Sequence, residues 1–186
     1  MSAVPAFEIG VWNAWIFMLY HFLPMPLLML AQGGQARELE TPHSELERRL
    51  YPIIMVLWIL ALIYSIFLPL RLGTIWLYVG LPVFILGLIG QIAVCVSMCT
   101  TPIDEKPVTS GIYQYSRHPY YITQFILFIG VGIASASWVF LLVSIVWLVL
   151  ISLTVNDEER NCLEKYGVAY REYMNRTPRW IGIPKQ

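Results

Sequence analysis

Hydrophobic residues in this chain fall in long blocks separated by short polar stretches, and the length of each block predicts an element. Apolar runs cover 11–31, 51–70, 75–98 and 121–155, each long enough for an α-helix to cross roughly 30 Å of hydrocarbon at about 1.5 Å per residue. The first is bent or broken near Pro24 and Pro26, because a proline ring removes a backbone donor and clashes with the preceding turn. The second and third are joined by the short turn Arg71-Leu72-Gly73-Thr74. The last run is too long for one ordinary span. Ala134-Ser135-Ala136-Ser137, followed by Trp138, divides it into a helical hairpin whose first arm, 121–134, is short and therefore tilted or begun below the membrane surface. The pattern predicts an all-α integral membrane helical bundle of about five transmembrane helices, with one membrane domain over 1–186.

Composition agrees with a bilayer environment. The 186 residues are 58% hydrophobic and 14% aromatic with only 13% charged, and the mean hydropathy is +0.63, values outside those of soluble domains. The zero net charge carries no electrostatic signature of a nucleic-acid partner. The first block lacks a small-residue cleavage site and holds His21, Pro24 and Pro26, so a retained helix is expected there in place of a signal peptide. With five spans, 32–50, 99–120 and the C-terminal segment share one side and hold eleven of the twelve Lys and Arg residues, leaving only Arg71 across the membrane. The positive-inside rule then puts the C-terminus in the cytoplasm and the N-terminus outside.

Two polar clusters on that basic side carry the candidate chemistry. The first is Gly111 to Tyr121, with Tyr113, Arg117, His118, Pro119 and Tyr121; the second is Asn156-Asp157-Glu158-Glu159, beyond the hairpin. Arg117 offers a planar fork of donors for a carboxylate or phosphate, His118 can donate or accept near neutral pH, and Pro119 sets the backbone at the start of a helix. Glu158 and Glu159 add negative charge. Brought together, these residues form a pocket with an anion-binding end, a cation-binding end and tyrosine faces, suited to a zwitterionic amino-acid group beside a cation. The same residues also suit an interfacial anchor with Glu159 as a helix cap, and the residues alone leave both open.

Asn156 can cap a helix with Glu159 three residues on, and Glu159, Leu163, Tyr166, Tyr170 and Tyr173 then form one stripe. A cytoplasmic amphipathic helix follows from that spacing, divided or weakened at Gly167. Thr41-Pro42-His43-Ser44-Glu45 reads as the cap and first turn of a short surface helix ending near Arg49. Cys95, Cys99 and Cys162 lack the spacing of a metal site, and no metal is expected. His21, a polar group inside a span, fits bonding to a neighbouring helix, and Gln91 fits either the lining of a cavity or a bond to another helix.

The residues Gly111, Tyr113, Arg117, His118, Pro119 and Tyr121, then the hairpin, then Glu158, Glu159, Leu163, Tyr166, Gly167, Tyr170 and Tyr173 resemble the C-terminal half of the isoprenylcysteine carboxyl methyltransferase and phospholipid methyltransferase superfamily over 108 to about 180. The resemblance implies an S-adenosylmethionine-dependent methyltransferase, with S-adenosylhomocysteine as product. Carried over, Val108, Gly111, Tyr113, His118, Pro119, Tyr121, Glu158, Glu159 and Leu163 would form the cofactor pocket, with Arg117, Glu158 and Glu159 as catalytic candidates. The 101–186 half would bind the cofactor and 1–100 would face an amphiphilic or lipid-like substrate. The position after Tyr121 is often small in the family, whereas here it is Ile122, followed by Thr123 and Gln124, which implies a differently shaped tunnel. A nicotinamide-dependent membrane reductase related to sterol reductases, and a non-catalytic membrane protein, are the alternatives at this stage.

Overall fold

A computed structural model describes residues 8–22, 44–101 and 106–184. Its helices are α1 (Trp15–Met18), α2 (Glu45–Ile66), α3 (Ile75–Cys99), α4 (Pro119–Ala134), α5 (Trp138–Tyr166) and α6 (Val168–Arg176), with 3-10 turns at Leu19–Phe22 and Gly111–Gln114. The described residues are helical with no strand, and the chain is an integral membrane helical bundle. By length and composition α2, α3 and α5 can each cross a membrane, while α4, with 16 residues, is a shorter apolar helix.

Helices α3 and α4 form an unusually close antiparallel pair, and glycine is the reason. A Cβ on Gly80 would lie 2.3 Å from the Ala134 backbone nitrogen, and one on Gly130 would lie 2.6 Å from that of Phe84. Small residues let helix backbones approach where lipid provides no hydrophobic drive for association. Lower in the same interface, Gln91 donates to Gln124 Oε1 at 3.0 Å and accepts from Thr123 Oγ1 at 3.1 Å, and Gln124 donates to Tyr20 OH. This buried network ties α3, α4 and the N-terminal segment together. On the opposite side of α4, Phe128 meets Trp147 and Phe140 of α5 edge-on, with ring centroids 5.5 and 5.8 Å apart.

Contacts sort the helix ends into two groups. At one end the Arg71 backbone N–H donates to Ala134 O at 3.0 Å, Tyr64 OH and Ser137 Oγ lie 3.1 Å apart, and Asn13 donates to Ile66 O at 2.7 Å, closing the end of α2. At the other end Ser44 caps α2, accepting from Glu47 N at 3.0 Å, and its hydroxyl also donates to Asp157 of α5. The N-terminal segment at Asn13 and the two polar clusters therefore sit at opposite ends of the bundle.

Three expectations need correction. The short helix ending near Arg49 is the first turn of α2 itself, which starts at Glu45 and carries Pro52 within it; Thr41 to His43 lie outside the described residues. Asn156 is no cap, because α5 continues through it to Tyr166. The loss of hydrophobicity after Val155 marks departure from the apolar layer, while the helix ends only where Gly167 takes φ +55°. In the run at 11–31, the described part is a turn and a bridge until helix begins at Trp15, then narrows to a 3-10 turn at Leu19. The rest of that run, with Pro24 and Pro26, lies outside the described residues.

Candidate active site

The 29 residues of α5 span about 43 Å at roughly 1.5 Å each, more than hydrocarbon thickness requires. Its polar last third therefore projects from the apolar layer and presents Glu158 and Glu159 beside the start of α4. There His118 occupies the N-cap position with Pro119 as the first helical residue, a place proline favours because its missing N–H has no partner in any case. The two clusters, about forty positions apart in the chain, meet side chain to side chain.

Glu159 is the hub. It is only 3% exposed, and His118 Nε2 approaches its Oε1 at 3.1 Å. Arg179 grips it with two nitrogens, Nε to Oε1 at 3.2 Å and Nη2 to Oε2 at 2.6 Å. Arg117 Nε also stands 3.2 Å from Oε1, but the N–H is not aligned on the oxygen, and this buried nitrogen has no hydrogen-bond partner among the described residues. The Arg117 contact is thus purely electrostatic. Glu158, the more exposed carboxylate at 23% of its side chain, accepts from Tyr121 OH and lies 3.5 Å from His118 Nδ1. His118 sits between the two glutamates and stacks at 5.9 Å on Tyr121 and at 6.1 Å near Trp180.

The electrostatics follow from this crowding. Burial is the largest influence on His118 and opposes its protonation, yet hydrogen bonds and charge from Glu158 and Glu159 outweigh it and raise its pKa above the ordinary imidazole value. Burial also works to raise Glu159, but hydrogen bonds from His118 and Arg179 and the charges of both arginines bring it down to about 2. A protonated His118 between two carboxylates, with two arginines, is the state these shifts favour.

A strap after α6 completes the site. Arg117 N donates to Pro178 O at 3.0 Å and Gly182 N to Tyr115 O at 3.1 Å, while Ser116 Oγ donates to Arg179 O at 3.2 Å. From α6, Tyr173 OH donates to Tyr113 O at 2.7 Å and approaches Ser116 O at 3.2 Å. Burial pushes the Tyr170 and Tyr173 hydroxyls well above the usual phenol range, so they remain protonated donors.

Of the residues singled out from sequence, the structure brings Arg117, His118, Tyr121, Glu158 and Glu159 into direct contact, with Pro119 buried beside them. Tyr113 joins through its carbonyl. Gly111 takes φ +61° and packs so closely that a Cβ would lie 2.3 Å from Ser97 Oγ, which fixes the loop against α3. Val108 and Leu163 are half-buried, and neither makes a polar contact in the cluster. Sequence reasoning missed Ser116, Arg179 and Trp180. Arg179 and Trp180 form a basic-aromatic pair just past a helix end, a visible but unspecific signal.

The donor set suits a zwitterionic ligand. Arg117 Nε is a buried donor with no aligned acceptor among the described residues, and Glu158 is the more accessible carboxylate. Residues 70–169 match a family described as phospholipid methyltransferase. The chain is 30% identical over 92 residues to a protein-S-isoprenylcysteine O-methyltransferase of Dictyostelium discoideum, a match covering 44% of this chain and 34% of that protein. It is 35% identical over 82 residues to a protein of the same name from Schizosaccharomyces pombe, again over 44% of this chain and 34% of the relative. The chain spans about a third of the length of the curated relatives it matches.

Proposed function

The chain belongs to the phospholipid methyltransferase family, and on that premise we propose that it transfers a methyl group from S-adenosylmethionine to a membrane-associated or amphiphilic acceptor, an isoprenylcysteine-like carboxylate or a lipid headgroup. The observation that carries this is the buried Arg117 Nε, which has no aligned hydrogen-bond partner among the described residues, beside a more accessible Glu158 and the rings of Tyr121 and Trp180. A buried donor left unpaired costs about 1–3 kcal/mol, a cost that an arriving carboxylate would remove.

When bound, S-adenosylmethionine supplies a methyl group on a sulfonium, open to in-line displacement by a nucleophile. Arg117 would hold the carboxylate of its amino-acid end and Glu158 the ammonium, while Tyr121 and Trp180, whose rings lie beside His118, offer faces to positive charge. Such a displacement depends on alignment and exclusion of water more than on a strong acid or base. A carboxylate acceptor needs no base. For an amine or thiol a proton must leave; Glu159 is committed to His118 and Arg179, so Glu158 would take it through the carboxylate oxygen that does not hold the ammonium. An amphiphilic acceptor would arrive from the lipid and the polar cofactor from the cytoplasm, with the polar end of the bundle cytoplasmic and the N-terminus outside.

The test is transfer of a radiolabelled methyl group by the protein in lipid nanodiscs to two acceptors, an S-farnesylcysteine analogue and phosphatidylethanolamine. Label in either, abolished by Arg117→Met, supports the proposal and names the acceptor class. No transfer to either, or to a total membrane extract, sinks it.

A further inference from the structure

Two arginines approach one carboxylate at this site, and they do so unequally. Arg179 spans Glu159 with both ends of its fork, at 3.2 and 2.6 Å. Arg117, with only 10% of its side chain exposed, reaches the same carboxylate at 3.2 Å without an aligned hydrogen bond. A carboxylate and a guanidinium favour the bidentate arrangement; Arg179 holds that arrangement on Glu159, while Arg117 keeps only an ion-pair contact to Oε1 without an aligned hydrogen bond. The strap sets that choice. Its bonds from Ser116 Oγ, Arg117 N and Gly182 N fix the backbone on both sides of Arg179, and Trp180 packs toward His118.

We propose that Arg179 is a positioning residue that keeps Arg117 available to an anionic ligand, by holding the bidentate position on Glu159 that would otherwise draw the Arg117 fork from a single ion-pair contact into an internal bidentate pair. Resting on the functional reading above, the anion is the carboxylate of the cofactor's amino-acid end. Without Arg179, Glu159 retains His118 but loses its bidentate partner, and Arg117 is the nearest guanidinium to replace it. The anion site then closes on itself. The nucleoside end of the ligand, which needs no arginine, is unaffected.

The experiment compares two ligands by calorimetric titration of the full chain in detergent. S-adenosylhomocysteine carries the amino-acid carboxylate, and 5′-methylthioadenosine has the same nucleoside and sulfur without it. Arg179→Ala is expected to weaken S-adenosylhomocysteine by about tenfold or more, the scale of a charge-assisted hydrogen bond, and to leave methylthioadenosine within about twofold. Arg179→Lys, which can reach one oxygen but not span two, recovers part of the loss. Equal weakening of both ligands indicates general damage to the site and overturns the proposal, as does unchanged S-adenosylhomocysteine affinity. Folded wild-type protein that binds neither ligand overturns the functional reading and this inference with it. The Arg179 side chain is 37% exposed, so the strap tolerates its loss; should Arg179→Ala not fold, Arg179→Gln carries the same comparison.

Discussion

Replacing Glu159 with glutamine keeps the shape of the side chain and removes the charge on which His118, Arg179 and Arg117 converge. Its carboxyl is held at about 2 against an ordinary 4.5, and at about 1.4 kcal/mol per pH unit that difference is worth roughly 3 kcal/mol. The partly exposed Arg179 is screened by water and contributes less than its short distance suggests. Arg117 and His118 are not screened, and breaking a buried pair from one side typically costs about 3–5 kcal/mol. A loss near 3 kcal/mol in a chain of this size lowers Tm by roughly 6–12 °C. Intrinsic fluorescence during a thermal ramp in detergent reads it directly.

The pH dependence gives a second constraint with a definite sign. Glu159, whose pKa is depressed by folding, contributes stability above 4.5 that disappears as pH falls toward 2. His118, whose pKa is raised, contributes below 6.5 and loses that contribution as pH climbs through its raised value. The Tm difference between wild type and Glu159→Gln is therefore greatest between about pH 4.5 and 6.5 and narrows on either side. A difference below about 2 °C, or one flat across pH 4 to 9, refutes a charge-linked hub at Glu159.

Two other substitutions probe the scaffold. Gly80→Leu places a branched side chain where even a Cβ would lie 2.3 Å from the Ala134 backbone; separation of α3 from α4 should cost more than the roughly 1–3 kcal/mol of ordinary overpacking, and size-exclusion chromatography in detergent should show loss of monodisperse protein. Ser44→Ala removes both the cap of α2 and the bond to Asp157, so it should lower stability by about 1–2 kcal/mol, read as a Tm drop of a few degrees, with cofactor-product affinity retained.

Much of the fold is legible in the sequence because the bilayer imposes long apolar runs. The run at 75–98 is the helix Ile75–Cys99, and the small polar residues at 134–137 do turn the hairpin. Polarity proved a poor guide to helix ends. Asn156 sits at a change in hydrophobicity, but helix α5 runs through it, and helix α2 starts at the Ser44 cap, well before the apolar run opens at 51, because hydropathy reports the edge of the lipid and capping reports the end of the helix. The meeting of Arg117 and His118 with Glu158 and Glu159 was foreseeable from their common side and the hairpin between them. The part taken by Arg179 was not, since its approach depends on long-range backbone bonds between the strap and 115–117, which leave no periodic trace in the chain.

The most direct test of the proposed activity is calorimetric titration of the purified protein with S-adenosylhomocysteine, alongside Arg117→Met. Saturable binding near one ligand per chain, weakened about tenfold or more in the variant, is the expected result. Absence of binding by demonstrably folded wild-type protein, or equal affinity in Arg117→Met, would contradict the assignment of this cluster as the cofactor site.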